Sequence, residues 1–173
     1  MLARSKLSVS AAIAANCATV VLCGVLAVSV IKTAFFGSQP QPSRPDQVKI
    51  GDRVAISGAT LGPGDTVVLA LREGCAYCVR SAPLYKEIVT AARARNRRVV
   101  AVLDEPVDRA RSYLGSLGID LSEVYQAKLS SLRVHGTPTL LLISGAGVVK
   151  RLWNGLQPAD QNSSIVRQIL GPA

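Results

Sequence analysis

Apolar positions along this chain fall into two patterns, short continuous runs and repeats with steps of three and four. Continuous runs over residues 65–71 and 98–103 predict strands covered on both faces of a sheet, since such strands show no polar alternation. A further run lies within residues 139–144 and is followed by a glycine-containing turn and residues 148–153, which together predict an antiparallel hairpin. Residues 48–56 alternate around a Gly-Asp pair, so one or two short strands are expected there.

The helical repeat is clearest after the first of these strands. It predicts a helix from about residue 76 to residue 96. Pro83 should kink this helix, because proline lacks an N–H group and clashes with the preceding turn. The residues expected to face the sheet are Val79, Leu84, Ile88, Val89 and Ala92.

The same repeat predicts three more helices. One covers residues 107–117 and a second covers residues 121–132. A last helix begins at Gln157-Pro158 and continues to Leu170. Strands that alternate with helices in this order predict an α/β fold.

A long uncharged stretch lies near the N-terminus. A membrane-spanning helix needs about 20 mostly apolar residues, so we expect a transmembrane anchor over residues 7–33 behind a cytoplasmic stub, residues 1–6. Residues 34–47 are rich in proline and predict an extended linker. The remaining residues, 48–173, then form one domain.

Two features bear on how this stretch is placed. Arg4 and Lys6 precede it, and the positive-inside rule keeps that end in the cytoplasm and the domain outside. A cleavable signal peptide ending near Ala27-Val28-Ser29 is the alternative to an anchor.

Composition limits the classes of function. The formal net charge of +9 suits an acidic partner or an anionic membrane surface. No aromatic interleaving or recognition motif accompanies the basic residues, so nucleic-acid binding is not expected. Two of the four cysteines, Cys17 and Cys23, lie in the uncharged stretch, where a thiol behaves as a small hydrophobic group.

The other two cysteines form a C-x-x-C motif between the first predicted strand and the first predicted helix. Cys75 lies where the unpaired N–H groups and the dipole of the helix favour a thiolate. It is therefore the candidate nucleophile, and Cys78, one helical turn later, is the candidate resolving thiol. Half of a zinc site or a structural disulfide would have the same spacing.

A second motif, Gly136-Thr137-Pro138-Thr139, precedes the predicted hairpin. A strand, C-x-x-C and helix followed by Gly-Thr-Pro-Thr and a hairpin resembles the thioredoxin superfamily, and Pro83 matches the proline that kinks its active-site helix. The chain between residue 104 and the second motif is longer than in a minimal thioredoxin. That extra length resembles the membrane-anchored TlpA- and ResA-like branch.

The resemblance implies a thioredoxin-like fold with a mixed central sheet flanked by helices. It implies a thiol–disulfide oxidoreductase that needs no cofactor and acts on protein thiols and disulfides through Cys75 and Cys78. It also implies that the Thr137-Pro138 peptide bond is cis and that both residues contact substrate. Tyr77, between the cysteines, either contacts partners as well or packs over the start of the helix.

The membrane-anchored branch implies more about cellular role. The chain would be a single-pass protein of the bacterial inner membrane, with its domain in the periplasm. The expected direction is reduction, for example in cytochrome c maturation or copper-site assembly. A tethered reductase also implies a transmembrane donor of thiols.

The chain departs from the family at three positions. Gly74 replaces the tryptophan before the first cysteine, Leu69 replaces the buried carboxylate of thioredoxin, and Ser81 replaces the glutamate common in the ResA-like branch. The proton acceptor for Cys78 is thus unassigned, although Glu73 and Glu87 are the nearest carboxylates in sequence.

Two other classes of function are compatible with the sequence. A copper- or zinc-handling protein would use Cys75 and Cys78 as ligands, with His135 as a third. An accessory subunit of a membrane complex would keep the domain as an interaction surface.

Overall fold

The computed structural model describes residues 46–171. The predicted stub and anchor, and nearly all of the predicted linker, lie outside the described residues. Among the helices within residues 46–171, none has the length and apolar character needed to cross a bilayer.

One five-stranded sheet forms the centre of the described domain, in the order β3-β2-β1-β4-β5. Strands β1 and β2, and likewise β2 and β3, pair in parallel, whereas β4 pairs antiparallel with both β1 and β5. The sheet is therefore mixed. The strands are β1 Thr66–Ala70, β2 Arg98–Leu103, β3 Val124–Gln126, β4 Thr139–Ile143 and β5 Val149–Asn154.

Four α-helices accompany the sheet in the described part of the chain, together with two short 3₁₀ helices. The α-helices are α1 Ala76–Arg80, α2 Ala82–Arg93, α3 Val107–Ser116 and α4 Asn162–Leu170. The 3₁₀ helices are Leu129–Leu132 and Ala159–Gln161.

Alternate residues of the central strands enter two hydrophobic clusters, one on each face of the sheet. Val67 and Leu69 of β1 enter the first cluster, which also contains buried residues of all four α-helices. Val68 and Ala70 enter the second, which the segment around Val48 and the 3₁₀ helix Leu129–Leu132 help to close. Both faces of the central strands are thus covered, as their continuous apolar runs predict.

Most of the predicted elements are confirmed. The strands over residues 65–71 and 98–103, the hairpin and the helix over residues 107–117 form within one residue of their expected ends. The helix predicted over residues 76–96 is interrupted at Ser81, which separates α1 from α2. Pro83 lies in the first turn of α2, where its missing N–H group costs nothing.

Val79 is the exception on the predicted sheet-facing side. It is 50% exposed, whereas Leu84, Ile88, Val89 and Ala92 are buried. The helix is broken at Ser81, between α1 and α2, so one helical periodicity does not apply across both.

The helix predicted over residues 121–132 is wrong. Val124–Gln126 instead pairs with β2 as an edge strand, and Leu129–Leu132 forms a single 3₁₀ turn. The backbone N–H of Leu129 donates to Asp104 Oδ1 at 2.8 Å, which fixes the start of that turn. Sheet pairing and this side-chain acceptor satisfy backbone groups that a helix would have satisfied internally.

The short strands predicted over residues 48–56 do not form either. This segment makes one isolated bridge, between Arg53 and Val148. Its other backbone hydrogen bonds to the rest of the domain are single ones, made mostly with the hairpin. Gly51 has a φ angle of +92° and turns the chain. The alternating apolar residues, Val48, Val54 and Ile56, are nevertheless buried in the second cluster.

Candidate active site

The loop after β1 brings the C-x-x-C motif to one edge of the sheet. Gly74 has a φ angle of +75°, a conformation that glycine adopts without steric cost. Cys75 then occupies the N-cap of α1. The reactive pair therefore begins where the helix has unpaired N–H groups.

Cys75 is partly exposed, and its sulfur contacts two backbone groups. The N–H group of Cys78 donates to Cys75 Sγ at 3.3 Å. The protonated thiol itself donates to the carbonyl oxygen of Thr137 at 3.4 Å. The N–H group of Cys78 favours a thiolate because it donates a hydrogen bond to the sulfur. The carbonyl of Thr137 favours the protonated thiol because it can only accept a hydrogen bond.

The balance of these effects lowers the pKa of Cys75. Burial of the sulfur raises the pKa, but hydrogen bonds from the side chains of Cys78 and Thr137 and from the backbone N–H groups of Cys78 and Tyr77 outweigh it. The nucleophile predicted from sequence thus has the electrostatic character that attack on a disulfide requires.

Cys78 has the opposite character. It is fully buried, and no disulfide joins it to Cys75 in this structure. Burial, the hydrogen bond of its thiol to Cys75, and the nearby Cys75 charge raise the pKa of Cys78 to about 12. This thiol is therefore protonated near neutral pH and can act only after it loses a proton.

The Thr137-Pro138 peptide bond is cis, as the resemblance implied. Two hydrogen bonds hold its loop: Gly155 N donates to Pro138 O at 2.7 Å, and Thr139 Oγ1 donates to Gly136 O at 2.8 Å. The structure thereby brings the second motif against the first, through the contact between Thr137 O and Cys75 Sγ.

Tyr77 is exposed over 56% of its surface, and its neighbour Val79 over 50%. Both lie on α1, on either side of the buried Cys78. Large exposed apolar side chains next to a reactive group are typical of partner contact. Of the two interpretations of Tyr77, the structure favours the exposed ring.

Ion pairs surround the edge of the site. Arg72 pairs with Asp104 at 3.2 Å, and Arg109 pairs with Glu73. Arg72 and Arg109 are mostly exposed, and ion pairs in contact with solvent contribute little. The unequal thiols therefore owe their character to burial and hydrogen bonds more than to these arginines.

Three buried polar atoms in the described domain were not predicted from the sequence. Among the described residues, the buried side-chain atoms without a hydrogen-bond partner are Ser81 Oγ, Glu105 Oε2 and Tyr113 OH. A signal was available for one of them. The parallel strands β1 and β2 end at the same edge of the sheet, so Glu105, two residues after β2, lies beside the thiols that follow β1.

The carboxylates nearest in sequence are placed differently. Glu87 is exposed on α2. Glu73 pairs with Arg109, and its backbone N–H donates to Glu105 Oε1 at 3.1 Å.

The described residues contain no group of three or more His, Cys, Asp or Glu side chains arranged to hold a metal ion. His135 Nε2 lies 3.0 Å from Asp46 Oδ2. The set of three ligands considered from sequence is therefore not assembled in the described domain.

No family model and no curated protein matches the chain. Solved structures do. A thiol:disulfide interchange protein from Bacteroides sp. is 17% identical, with a TM-score of 0.57 over 74% of this chain and 93% of that protein. A thioredoxin family thiol:disulfide interchange protein from Chlorobium tepidum is 21% identical, with a TM-score of 0.51 over 64% of this chain and 83% of that one.

A third match is a secreted Mycobacterium tuberculosis disulfide oxidoreductase, homologous to E. coli DsbE. It is 16% identical, with a TM-score of 0.52 over 67% of this chain and 93% of that protein. These likenesses establish the thioredoxin-like fold, a mixed sheet flanked by helices.

Proposed function

We propose that this chain, with its thioredoxin-like fold, is a thiol–disulfide oxidoreductase of the TlpA- and ResA-like kind. One observation carries the proposal: the two thiols of the C-x-x-C motif are unequal. Cys75 is accessible, with a lowered pKa, while Cys78 is buried, with a raised one. A plain structural disulfide does not require this difference, whereas sequential exchange does.

The reaction follows from that difference. The Cys75 thiolate attacks a substrate disulfide, the substrate S–S bond breaks, and the first substrate thiolate leaves and takes a proton from solvent. Cys78 then loses its proton and attacks Cys75 Sγ. The bond between Cys75 and the substrate breaks, the second substrate thiol leaves, and the Cys75–Cys78 disulfide remains. Two electrons pass from the cysteine pair to the substrate.

We assign substrate contact to Tyr77, Thr137 and Pro138. The exposed ring of Tyr77 supports its assignment. Thr137 O lies against the attacking sulfur, so an extended substrate segment that reaches Cys75 meets this loop. Proteins described as thiol:disulfide interchange proteins share the fold, which supports protein disulfides as the substrate class.

The proposal extends to the cellular setting. Residues 7–33 would anchor the chain in the bacterial inner membrane, with the domain in the periplasm and a transmembrane protein supplying thiols. The expected direction is reduction, in cytochrome c or copper-site maturation. The uncharged N-terminal stretch supports the anchor, and the family resemblance supports the direction.

Covalent trapping tests the activity. In the full-length Cys78→Ser variant, the mixed disulfide cannot be resolved, so a protein adduct on Cys75 should accumulate in cells. Non-reducing electrophoresis would detect the adduct, and mass spectrometry would identify its partner. The matched control carries both Cys75→Ser and Cys78→Ser. Equal adducts in the two variants, or none in either, would contradict the proposal.

The direction can be tested separately in living cells. Acid quenching followed by alkylation would report whether Cys75 and Cys78 are thiols or a disulfide at steady state. A reductase supplied by a thiol donor should be recovered mostly as thiols. Recovery mainly as the disulfide would assign the oxidative direction.

A further inference from the structure

Exposed apolar surface in the described domain is concentrated on α1. Of the three large apolar side chains that are exposed there, Ile50 lies before β1, whereas Tyr77 and Val79 lie on α1. Arg80, which is also exposed, ends this helix. Because residues three apart share one side of a helix, Tyr77 and Arg80 lie on the outer side while Cys78 faces the core. The helix therefore presents apolar side chains and one cation next to the reactive sulfur.

A cavity of about 260 Å³ lies at the end of this helix. Arg80 is the one charged residue among the nine that line it. The five apolar ones come from the start of α2 and from the chain after β5, and they are Pro83, Leu84, Leu156, Pro158 and Ala159. Pockets for drug-sized ligands usually measure about 300–1,000 Å³. This cavity is smaller, so it suits side chains of a peptide better than a cofactor.

Both walls of the cavity are attached to the reactive groups. The first wall begins at Arg80, two residues after Cys78. The second wall follows Gly155, whose N–H group donates to Pro138 O at 2.7 Å. The side-chain amide of Gln157 donates to the carbonyl oxygen of Gly155 at 3.1 Å, which holds this wall in shape. The cavity is therefore preformed beside the thiols and the cis-proline loop, and a bound segment does not have to order its walls.

The charge of Arg80 is not balanced by a neighbouring carboxylate. Two other arginines at the edge of the site are already paired, Arg72 with Asp104 and Arg109 with Glu73. Within residues 46–171, none of the ion pairs includes Arg80, and no Asp or Glu is among the residues that line the cavity. A guanidinium group with free donors suits a carboxylate, which it can bind through two hydrogen bonds.

We propose that the outer side of α1 and this cavity form a docking surface that selects an acidic segment of the substrate protein. An apolar side chain of that segment enters the cavity, and a neighbouring carboxylate pairs with Arg80. The net charge of +9 favours the same class of partner at longer range. This inference names the substrate class of the oxidoreductase function proposed above and rests on that function.

Rates of adduct formation with matched peptides test the docking surface. The full-length protein carries Cys17→Ala, Cys23→Ala and Cys78→Ser, so that Cys75 is its one thiol and the mixed disulfide accumulates. The probes are symmetric disulfides of a capped peptide with a single cysteine, in which a leucine–glutamate pair stands at successive positions before or after that cysteine. Matched peptides carry glutamine or lysine in place of glutamate. Acid quenching and mass spectrometry give the rate at each peptide concentration.

We expect a preference for the acidic peptide. At the spacing that fits the cavity, the glutamate peptide should react about three- to fivefold faster than the glutamine peptide, as expected for a partly exposed ion pair. The lysine peptide should be slowest, and added salt should reduce these differences. The preference should appear in the peptide concentration for half-maximal rate and not in the maximal rate, because Arg80 binds the segment and takes no part in the sulfur chemistry.

Reversal of one charge should reverse the order of the peptides. In Arg80→Glu, the lysine peptide should react fastest. Comparison of peptides within one variant cancels any effect of the substitution on the reactivity of Cys75, since all peptides share it. The matched control is Arg53→Glu, which should keep the parental order. Arg53 is exposed, and its backbone bridges Val148, at the end of the hairpin away from Thr139.

A second pair of variants tests the cavity itself. Peptides with leucine should react about tenfold faster than peptides with alanine at the same position, because an apolar pocket discriminates by size. Ala159→Phe places a ring on the cavity wall and should remove this advantage. Ala146→Phe makes the same change in the turn between β4 and β5 and should keep it. Both alanines are exposed, so both variants should fold.

The outcomes separate the docking surface from the proposed function. Equal rates for the glutamate, glutamine and lysine peptides at every spacing would overturn the docking surface and leave the oxidoreductase function intact. An unchanged order in Arg80→Glu, an equal loss of the order in Arg53→Glu, or an undiminished preference for leucine in Ala159→Phe would overturn it as well. If no peptide forms an adduct with Cys75, the oxidoreductase function fails, and the docking surface fails with it.

Discussion

At the scale of single residues, position in the fold separates two chemically identical thiols. Cys75 caps a helix that has free N–H groups, and Cys78 lies one turn later inside the core. The backbone N–H of Cys78 is itself one of the donors to Cys75. Burial of one residue and activation of the other are therefore consequences of the same turn.

This difference predicts two separate ionisations. We expect ultraviolet absorbance to detect a thiolate below the usual cysteine pKa of about 8.5 in the reduced parental protein and in Cys78→Ser. The low ionisation should be absent in Cys75→Ser. A titration in which both single variants ionise alike, near the free-cysteine value, would contradict the assignment of the nucleophile.

The same pKa directions predict how the stability of the reduced protein varies with alkaline pH. Because the folded pKa of Cys78 is raised, its protonated form stabilises the fold below the unfolded pKa of about 8.5, and this stabilisation is lost as pH rises toward about 12. Urea unfolding should show this alkaline loss, and Cys78→Ala should reduce it. The oxidised protein, which lacks both thiols, is the control.

At this scale the sequence predicts the reacting atoms but not the groups that support them. The C-x-x-C spacing and its position before a helix locate Cys75 and Cys78. Neighbours in sequence point to Glu73 and Glu87, whereas in the structure the N–H group of Glu73 donates to Glu105 and its carboxylate pairs with Arg109. Those contacts connect residues about 30 positions apart, which a single sequence does not report.

At the scale of secondary structure, close backbone contacts hold residues 48–56 against the hairpin of β4 and β5. The backbone N–H of Val54 donates to the carbonyl of Gly147 at 2.9 Å. Gly147 has a φ angle of +77°, and a Cβ atom there would lie 2.5 Å from Val54 O. Glycine is therefore required by conformation and by space together.

A pair of glycine variants can separate these two requirements. Gly147→Ala should lower the free energy of unfolding by about 3 kcal/mol, because left-handed strain and the backbone clash add. Gly155 has a similar φ of +72°, but a Cβ atom there would have no neighbouring atom within 4 Å, so Gly155→Ala should cost about 1 kcal/mol. Urea denaturation would measure both, and equal losses would contradict a role for the contact.

The edge strand β3 is attached by a polar group of three residues. Arg98 bonds to Glu123, and the hydroxyl of Tyr125 donates to Glu123 Oε2 at 3.0 Å. The hydrogen bonds from Arg98 lower the pKa of Glu123 despite partial burial. This group compensates for the small number of ladder bonds in a three-residue strand.

Acid should therefore weaken the attachment of β3. Because the folded pKa of Glu123 is lowered, its contribution is present above the unfolded pKa of about 4.3 and is lost as pH falls through the folded pKa. Glu123→Gln should be less stable than the parental protein near neutral pH, and the difference should shrink by about pH 3. A urea midpoint difference that does not change with pH would contradict this.

Predictions of elements succeeded where one local pattern agreed with the long-range pairing. The runs that became β1, β2 and β4 carry apolar residues on both faces and have no competing period. The apolar residues of 121–132 repeat in steps of three and four, as in a helix. Residues 124–126 nevertheless pair with the free edge of β2, with Val124 opposite Ala101. Pairing with a strand that is distant in sequence determined the secondary structure of this segment, and its local periodicity did not.

At the scale of the whole chain, the described domain and the N-terminal stretch make separate contributions to the proposed function. The domain places the reactive pair and the cis-proline loop together at one edge of the sheet. The N-terminal stretch, outside the described residues, would determine where in the cell the reaction takes place. The chemistry and the location can therefore be tested separately.

Cell fractionation tests the location. Full-length protein should sediment with membranes and resist extraction by high salt, whereas a chain that starts at Asp46 should not sediment. Protease added to spheroplasts should digest the domain of the full-length protein. Release of a shortened full-length product into the periplasm would instead support cleavage near Ala27-Val28-Ser29.

The two edge strands of the sheet bear on whether neighbouring copies of the protein can aggregate. One edge is β3, which is three residues long, and the other is β5, which carries the exposed charges of Lys150 and Arg151. Short or charged edges offer a poor template for a foreign strand. Copies that the proposed anchor would hold side by side on a lipid surface should therefore stay separate instead of growing into aggregates through their sheets.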